Sequence, residues 1–355
     1  KKLRFIALIL VFALLFTSIQ PAAWVEAAMG SVEQAADGTE EPGADIHNPE
    51  NGTWSYIYFG SYPQTEVAGD DLTDAIKNAS YDANGDATVD GQKYHRIYTR
   101  RYPVGTLNES DGTDEYFYYK WEPIRWKVLQ KTEDALFVMA DKGLDYIPYH
   151  TAETAVTWDK SWIRDFLNSE NTDTLYDSGS YIKNNYFSYY FYLCENGNEG
   201  YRHYLKDDKQ EKVHSFYMTA FDDAQRAAIT AQGNDKLFLL SAEDVKNASY
   251  GFGTAEKLPA RQLSISEYAK KKSWFASESA WWLRSDDALF ATIVGSGGDI
   301  ISNNEYFKVN NYSMACVPAM YISLSSDQWV SEAAQLAGYK EDALNTLYAF
   351  QTSKY

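Results

Sequence analysis

YFYYKWEPIRWKVLQKTEDALFVMA, residues 116–140, decides the fold class. Ile124, Trp126 and Val128 alternate with Arg125 and Lys127, a period of two that predicts a strand with one apolar face. Lys131 to Asp134 reads as a polar turn, and ALFVMA resumes as a second strand. Upstream, WSYIYFGSYPQ (54–64) and QKYHRIYTRRY (92–102) are further strands, with Gly60 and Pro63 as turn punctuation. Downstream the pattern turns helical. KSWIRDFLN (160–168) sets Trp162, Ile163, Phe166 and Leu167 on one face, with Asp159 or Thr157 as its cap. DDAQRAAIT (222–230) and Ser266 to Lys272 are short helices. KLFLLSAEDVKN (236–247) is a strand and a helical turn, with Ser241 as N-cap and Asp244 three residues on. AWWLRS (280–285), LFATIVGS (289–296), YFKVN (306–310) and MYISL (320–324) are β-like again. From residue 326 to the end, Trp329, Ala333, Leu336, Ala337, Leu344, Leu347 and Tyr348 predict one or two amphipathic helices. Strands, helices, then strands make an α+β class with short antiparallel sheets, not the alternation of a parallel sheet.

The ends of the chain differ from this middle. Lys1, Lys2 and Arg4 precede the apolar run Phe5 to Phe16, and small residues lead to Val25-Glu26-Ala27. That order predicts a signal peptide over residues 1–27, cleaved after Ala27. The run is shorter than the ~20 residues a spanning helix needs, so no stable membrane insertion is expected after cleavage. Residues 28–53 hold six acids and no Lys or Arg, and read as an acidic disordered linker. Cleavage would remove three basic residues and one acid, taking the net charge from −18 to −18 − 2 = −20. Such acidity argues against nucleic acid as a partner. The expected location is secreted, extracellular or at the cell surface. Two cysteines, Cys194 and Cys316, are too few for a disulfide framework, and whether they pair is open.

FGSYPQ (59–64), PIRWKVL (123–129), LDYIPYH (144–150), TWDKSWIRDFLN (157–168), FYMTAF (216–221), KLFLLSAEDV (236–245), WWLRS (281–285) and the VPA step (317–319) occur in this order. Together they resemble a secreted bacterial family, the domain of unknown function 6273, over Trp54 to Leu324. That family is similar in layout to the C-type-lectin-like domains of formylglycine-generating enzymes and of hypervariable ligand-binding proteins. The resemblance implies a C-type-lectin-like domain over 54–325, with an insertion at about 169–215 and a helical segment over 326–355. Two positions depart from the family pattern. Val317 stands where the family's Gly-Val-Arg-Pro-Ala step has arginine, and Asp286 replaces the proline after WWLRS. Cys194 and Cys316 do not match the paired cysteines of the formylglycine-generating enzymes.

Trp281, Trp282 and Arg284 are conspicuous, and the expectation is architectural. The tryptophans fill the core and Arg284 pairs with a buried acid, with Asp145 and Arg164 supplying such ion pairs. Asp82, Asn84, Asp86, Thr88 and Asp90 imitate a calcium loop, but Lys93 occupies its twelfth position and Ala87 its glycine position. A polar hairpin turn is the simpler reading, with calcium the lesser alternative and no other cofactor expected. Lectin-like relatives place ligand-contacting loops late in the chain. Here that region is SNNEYFKVNNY (302–312), where Asn303, Asn304, Tyr306, Asn310, Asn311 and Tyr312 combine adaptable amides with aromatic platforms. Ordinary polar turns explain the same composition. No GxSxG or HExxH motif is present, and SISEYAK (264–270) is not SxxK. The leading expectation is a non-catalytic recognition module for an extracellular glycan or protein. The alternatives are an extracellular carboxylate-dependent hydrolase and a structural cell-surface domain.

Overall fold

The computed structural model describes residues 55–103, 113–150, 152–170, 191–195, 198–204, 215–255, 258–272, 279–285, 289–305, 307–310 and 314–332. The expected signal peptide and linker lie outside the described residues. The fold is mixed α and β, with mostly antiparallel pairing.

Five strands open it: β1 (Tyr56–Glu66), β2 (Asp86–Val89), β3 (Gln92–Pro103), β4 (Thr113–Lys131) and β5 (Ala135–Ala140). β4 is the spine. β1 pairs along one edge of it, from Tyr56↔Lys127 to Glu66↔Tyr119. The other edge is shared: β3 takes Thr113 to Lys120 and β5 takes Trp126 to Lys131. Pro123 falls in the gap between those two partners, where its missing N–H leaves no ladder bond unmade on that side. Ile124 and Trp126 are fully buried as the alternation predicts. Val128 is only half-buried, because a bulge between Val128 and Gln130 shifts the phase and turns Leu129 inward. β5 is buried at every residue, since it lies between β4 and the Pro318–Ser323 strand, and so reads as a continuous apolar run. Leu237–Leu239 and Ile229–Thr230 pair with the far edge of Pro318–Ser323.

Val330–Ser331 is a strand paired with β1, where a helix was expected. Trp329 is buried there and Glu332 meets Arg125, so the packed unit runs past 325. The remaining predicted helical residues, 333–355, lie outside the described residues.

A second sheet has the order Ile300–Ile301, Ile293–Val294, Trp281–Trp282, Ala315–Cys316, Asp145–Tyr146. Its strands are two residues long, shorter than the runs expected from AWWLRS and LFATIVGS. Residues 307–310 form no named strand, only a bridge of Lys308 with Phe290. Gly143 lets this layer close up: a Cβ there would stand 2.5 Å from Ile265 Cδ1 and 2.7 Å from Ala315 Cβ. One hydrophobic cluster spans both sheets, from Trp126 to Trp281 and Trp282.

The helices are short and capped by side chains: α1 (Asp74–Lys77), α2 (Trp162–Asn168), α3 (Phe216–Ala220), α4 (Asp223–Ala228) and α5 (Glu267–Lys271). Ser161 caps α2 by accepting from the Arg164 amide, because the preceding Trp158–Lys160 turn consumes Thr157 and Asp159. Asp222 and Gln225 form a capping box on α4, which ends at Ala228 where Ile229 and Thr230 join the sheet. Ser241 and Asp244 bond reciprocally around the next turn. Within the predicted insertion, Phe191–Glu195 and Asn198–Tyr204 form a hairpin added to β3. The flanks of that insertion meet: Ser215 Oγ donates to the Ser169 carbonyl at 2.5 Å.

Candidate ligand-binding site

The sequence motifs bond mainly to one another. Trp126 Nε1 donates to the Phe59 carbonyl at 2.7 Å, tying PIRWKVL to FGSYPQ. Trp282 Nε1 donates to Ile147 O at 2.8 Å, and Tyr149 exchanges two hydrogen bonds with the backbone of Ser285, tying WWLRS to LDYIPYH. Asn168 holds the backbone of Lys236 and Leu237 from α2. Buried indole and phenol groups need partners, and here the motifs supply them.

The expected core role of Trp281 and Trp282 is what the geometry displays, both being 0% exposed. The expected ion pairs form at Asp145 and Arg164 but not at Arg284. Arg284 is half-buried over the Phe238 ring, 5.6 Å from its centroid, and meets no acid among the described residues. Its strand position beside Ser241 points it at an aromatic instead. Asp145 belongs to Lys272, 2.9 Å away, and accepts from the Tyr62 hydroxyl at 2.8 Å. Arg164 pairs with Asp235 at 2.6 Å, where Trp158 Nε1 also donates.

The calcium-like stretch is a hairpin. Val89 faces Gln92 across Asp90 and Gly91, both with positive φ, the two-residue turn an Asp-Gly pair favours. Asp82 caps its own loop by accepting from the amides of Asn84 and Asp86. The Asp86 carboxylate accepts from His95 Nδ1, Trp121 Nε1 and Lys93. Among the described residues no three His, Cys, Asp or Glu converge as a metal-binding group. Cys316 is a buried free thiol, and burial together with the charge of Asp145 pushes its pKa well up, away from nucleophilic use.

The predicted 302–312 segment is carried at the edge of the small sheet. Ile293 pairs with Ile301, and Phe290 with Lys308. Two residues, 291 and 292, therefore oppose six, 302–307, and the four-residue surplus must leave the sheet as a loop. Asn303 sits in the left-handed region at φ 53°, which an asparagine tolerates. Asn303 is exposed, while Asn304 and Asn310 are half-buried. Tyr306, Asn311 and Tyr312 lie outside the described residues.

The loop's base is fixed. Asn304 O accepts from the Phe307 amide at 2.9 Å, and the fully buried Val309 donates to Leu289 O at 3.1 Å. Val309 O accepts from the His150 amide at 2.7 Å. Lys308 Nζ reaches Glu153 at 2.6 Å. His150, Glu153 and Lys308 thus frame the loop, and sequence reasoning did not single them out. The position of His150 at the end of LDYIPYH was the available signal. Desolvation lowers the His150 pKa against the opposing charge of Asp165, so this imidazole is neutral at pH 7. Its Nδ1 is buried, with no hydrogen-bond partner among the described residues.

The class defined by these features is a mixed α+β domain with a rigid, motif-stitched frame and a protruding polar loop at the edge of its smaller sheet. The chain belongs to the family described as a domain of unknown function (DUF6273), which matches residues 133–324. That match covers 324 − 133 + 1 = 192 of 355 residues and begins after β4. No curated protein and no solved structure matches the chain.

Proposed function

We propose that this chain is a secreted, non-catalytic recognition module of C-type-lectin-like layout, binding an extracellular glycan or protein through residues 302–312. The observation that carries the reading is the surplus loop on a fixed base. Asn303 and Asn304 lie in a loop whose base is held by the Phe307–Asn304 and Val309–Leu289 backbone bonds, so ordering them against a ligand carries little extra entropic cost. The small loop-bearing sheet beside a larger antiparallel one supports the lectin-like layout. The basic, apolar and small-residue order of residues 1–27 supports export.

Glycan and peptide arrays probed with the full chain test this reading. Binding should fall at least tenfold in Tyr306→Ala, Tyr312→Ala or Asn304→Ala. Undiminished binding in all three overturns the site. An extracellular protein beginning at Ala28 supports export, and one retained in the cell overturns it.

A further inference from the structure

On the face of β3 and β4 away from the main core, Arg96 lies against two tyrosine rings. Its guanidinium carbon lies 4.2 Å from the Tyr81 ring centre and 4.7 Å from that of Tyr116. The register explains the stack. Arg96 faces Tyr118 and Tyr98 faces Tyr116, so all four side chains share one side of the sheet and Tyr116 is the diagonal neighbour of Arg96. Tyr81 arrives from the segment after α1 and is fixed by donating to the Ile76 carbonyl at 2.9 Å. Beneath them Val67, Ile76, Tyr94 and Tyr118 form a separate small core.

The guanidinium edge is the telling feature. Among the described residues no hydrogen bond or ion pair engages it, in a chain with 50 acidic and 32 basic residues. Arg125 is held by Asp141 and Glu332, Arg164 by Asp235 and Arg226 by Asp223. Asp114, on the same face as Arg96, is taken by the Tyr98 hydroxyl at 2.7 Å. Both rings lie within 5 Å of the guanidinium carbon, and Arg96 is half-buried, so part of the group remains open to solvent. A planar fork fixed in this way is preorganised for bidentate contact with a planar carboxylate. The flanking rings add apolar surface of the kind that sugar C–H groups pack on.

We propose that Arg96, clamped by Tyr81 and Tyr116, binds the carboxylate of an acidic sugar, a uronate or a sialate, at a site carried by a different sheet from the 302–312 loop. The full chain should be titrated with tetragalacturonate and sialyllactose, with maltotetraose, lactose and inorganic sulfate as controls, following the Arg96 Nε–H NMR signal. At least one acidic sugar should move that signal and bind, while the controls leave it in place. Arg96→Lys, which keeps charge but loses the fork, should weaken binding roughly tenfold, and Arg96→Gln should abolish it. Tyr81→Leu should weaken binding with Arg96 still present, and Asn304→Ala should leave it unchanged, separating this site from the loop. The proposal is overturned if neither acidic sugar moves the signal, if sulfate moves it equally, or if a folded Arg96→Gln variant binds as the parent does.

Discussion

The ammonium of Lys272 lies 2.9 Å from Oδ1 of Asp145, whose side chain is only 2% exposed. Lys272 follows α5, and Asp145 lies on the edge strand of the small sheet. Tyr62 of β1 donates to the same carboxylate, so this one group ties three parts of the chain together. Removing one member of a buried pair leaves the other charge uncompensated, at a cost of about 3 kcal/mol or more. Lys272→Met should therefore lower the unfolding free energy in urea by about that amount. The double variant Lys272→Met with Asp145→Asn should recover part of it. Equal losses in the single and double variants would contradict this account.

Gly60 answers to a different constraint. Its φ is +69°, and a Cβ there would stand 2.5 Å from Phe221 Cε1 and 2.7 Å from the Ala220 carbonyl. The carbonyl is backbone and cannot swing aside. Gly60→Ala should cost about 2–4 kcal/mol, from left-handed strain and overpacking together. A thermal scan should show a clear fall in Tm, whereas Gly91→Ala, with open space around its Cβ position, should lose only the conformational part.

Asp86 makes a pH prediction. Burial pushes its carboxyl upward, but the hydrogen bonds and charges of His95 and Lys93 outweigh that, and its pKa is lowered below 3.8. A carboxyl with a depressed folded pKa stabilises fully above its unfolded value and loses that contribution as pH falls through the folded value. The difference in unfolding free energy between the parent and Asp86→Asn should shrink once the pH drops below about 4. A difference that goes on growing below about pH 4 would reverse the sign and refute the assignment.

Asp235 anchors α2 and the turn before it. It accepts from Trp158 Nε1 at 2.7 Å and from Arg164 Nε at 2.6 Å. Asp235→Ala strands a largely buried indole N–H and should cost about 2 kcal/mol. Adding Trp158→Phe, which removes the stranded donor, should make the second loss smaller than Trp158→Phe causes alone, measurable as a double-mutant cycle.

Much of the frame was legible because it rests on local periodicity. Ile124 and Trp126 face inward as a period of two requires, and the polar turn after Lys131 is where the chain reverses. Val128 broke the pattern because a bulge is a pairing event, invisible in one strand alone. Thr157 and Asp159 looked like caps, but Ser161 took the role once a tighter turn had used the earlier residues. Arg284 was expected against an acid and lies over Phe238, since which side chain stands opposite is set by strands far apart in sequence. The loop at 302–307 was found by composition, but its frame of His150, Glu153 and Lys308 depends on a crossing that no local pattern encodes. The same holds for Arg96, whose two tyrosines lie 15 positions before it and 20 after.

The bond between Ser215 and Ser169 has a consequence for how this chain can change over time. A segment that departs and returns at one point can change length without moving the frame. Doubling its length adds only about 0.6 kcal/mol of closure entropy, so the grip of the frame on it is confined to the hairpin of Phe191–Glu195 and Asn198–Tyr204 that pairs with β3. The stretches either side of that hairpin are therefore the natural insertion points for a grafted peptide.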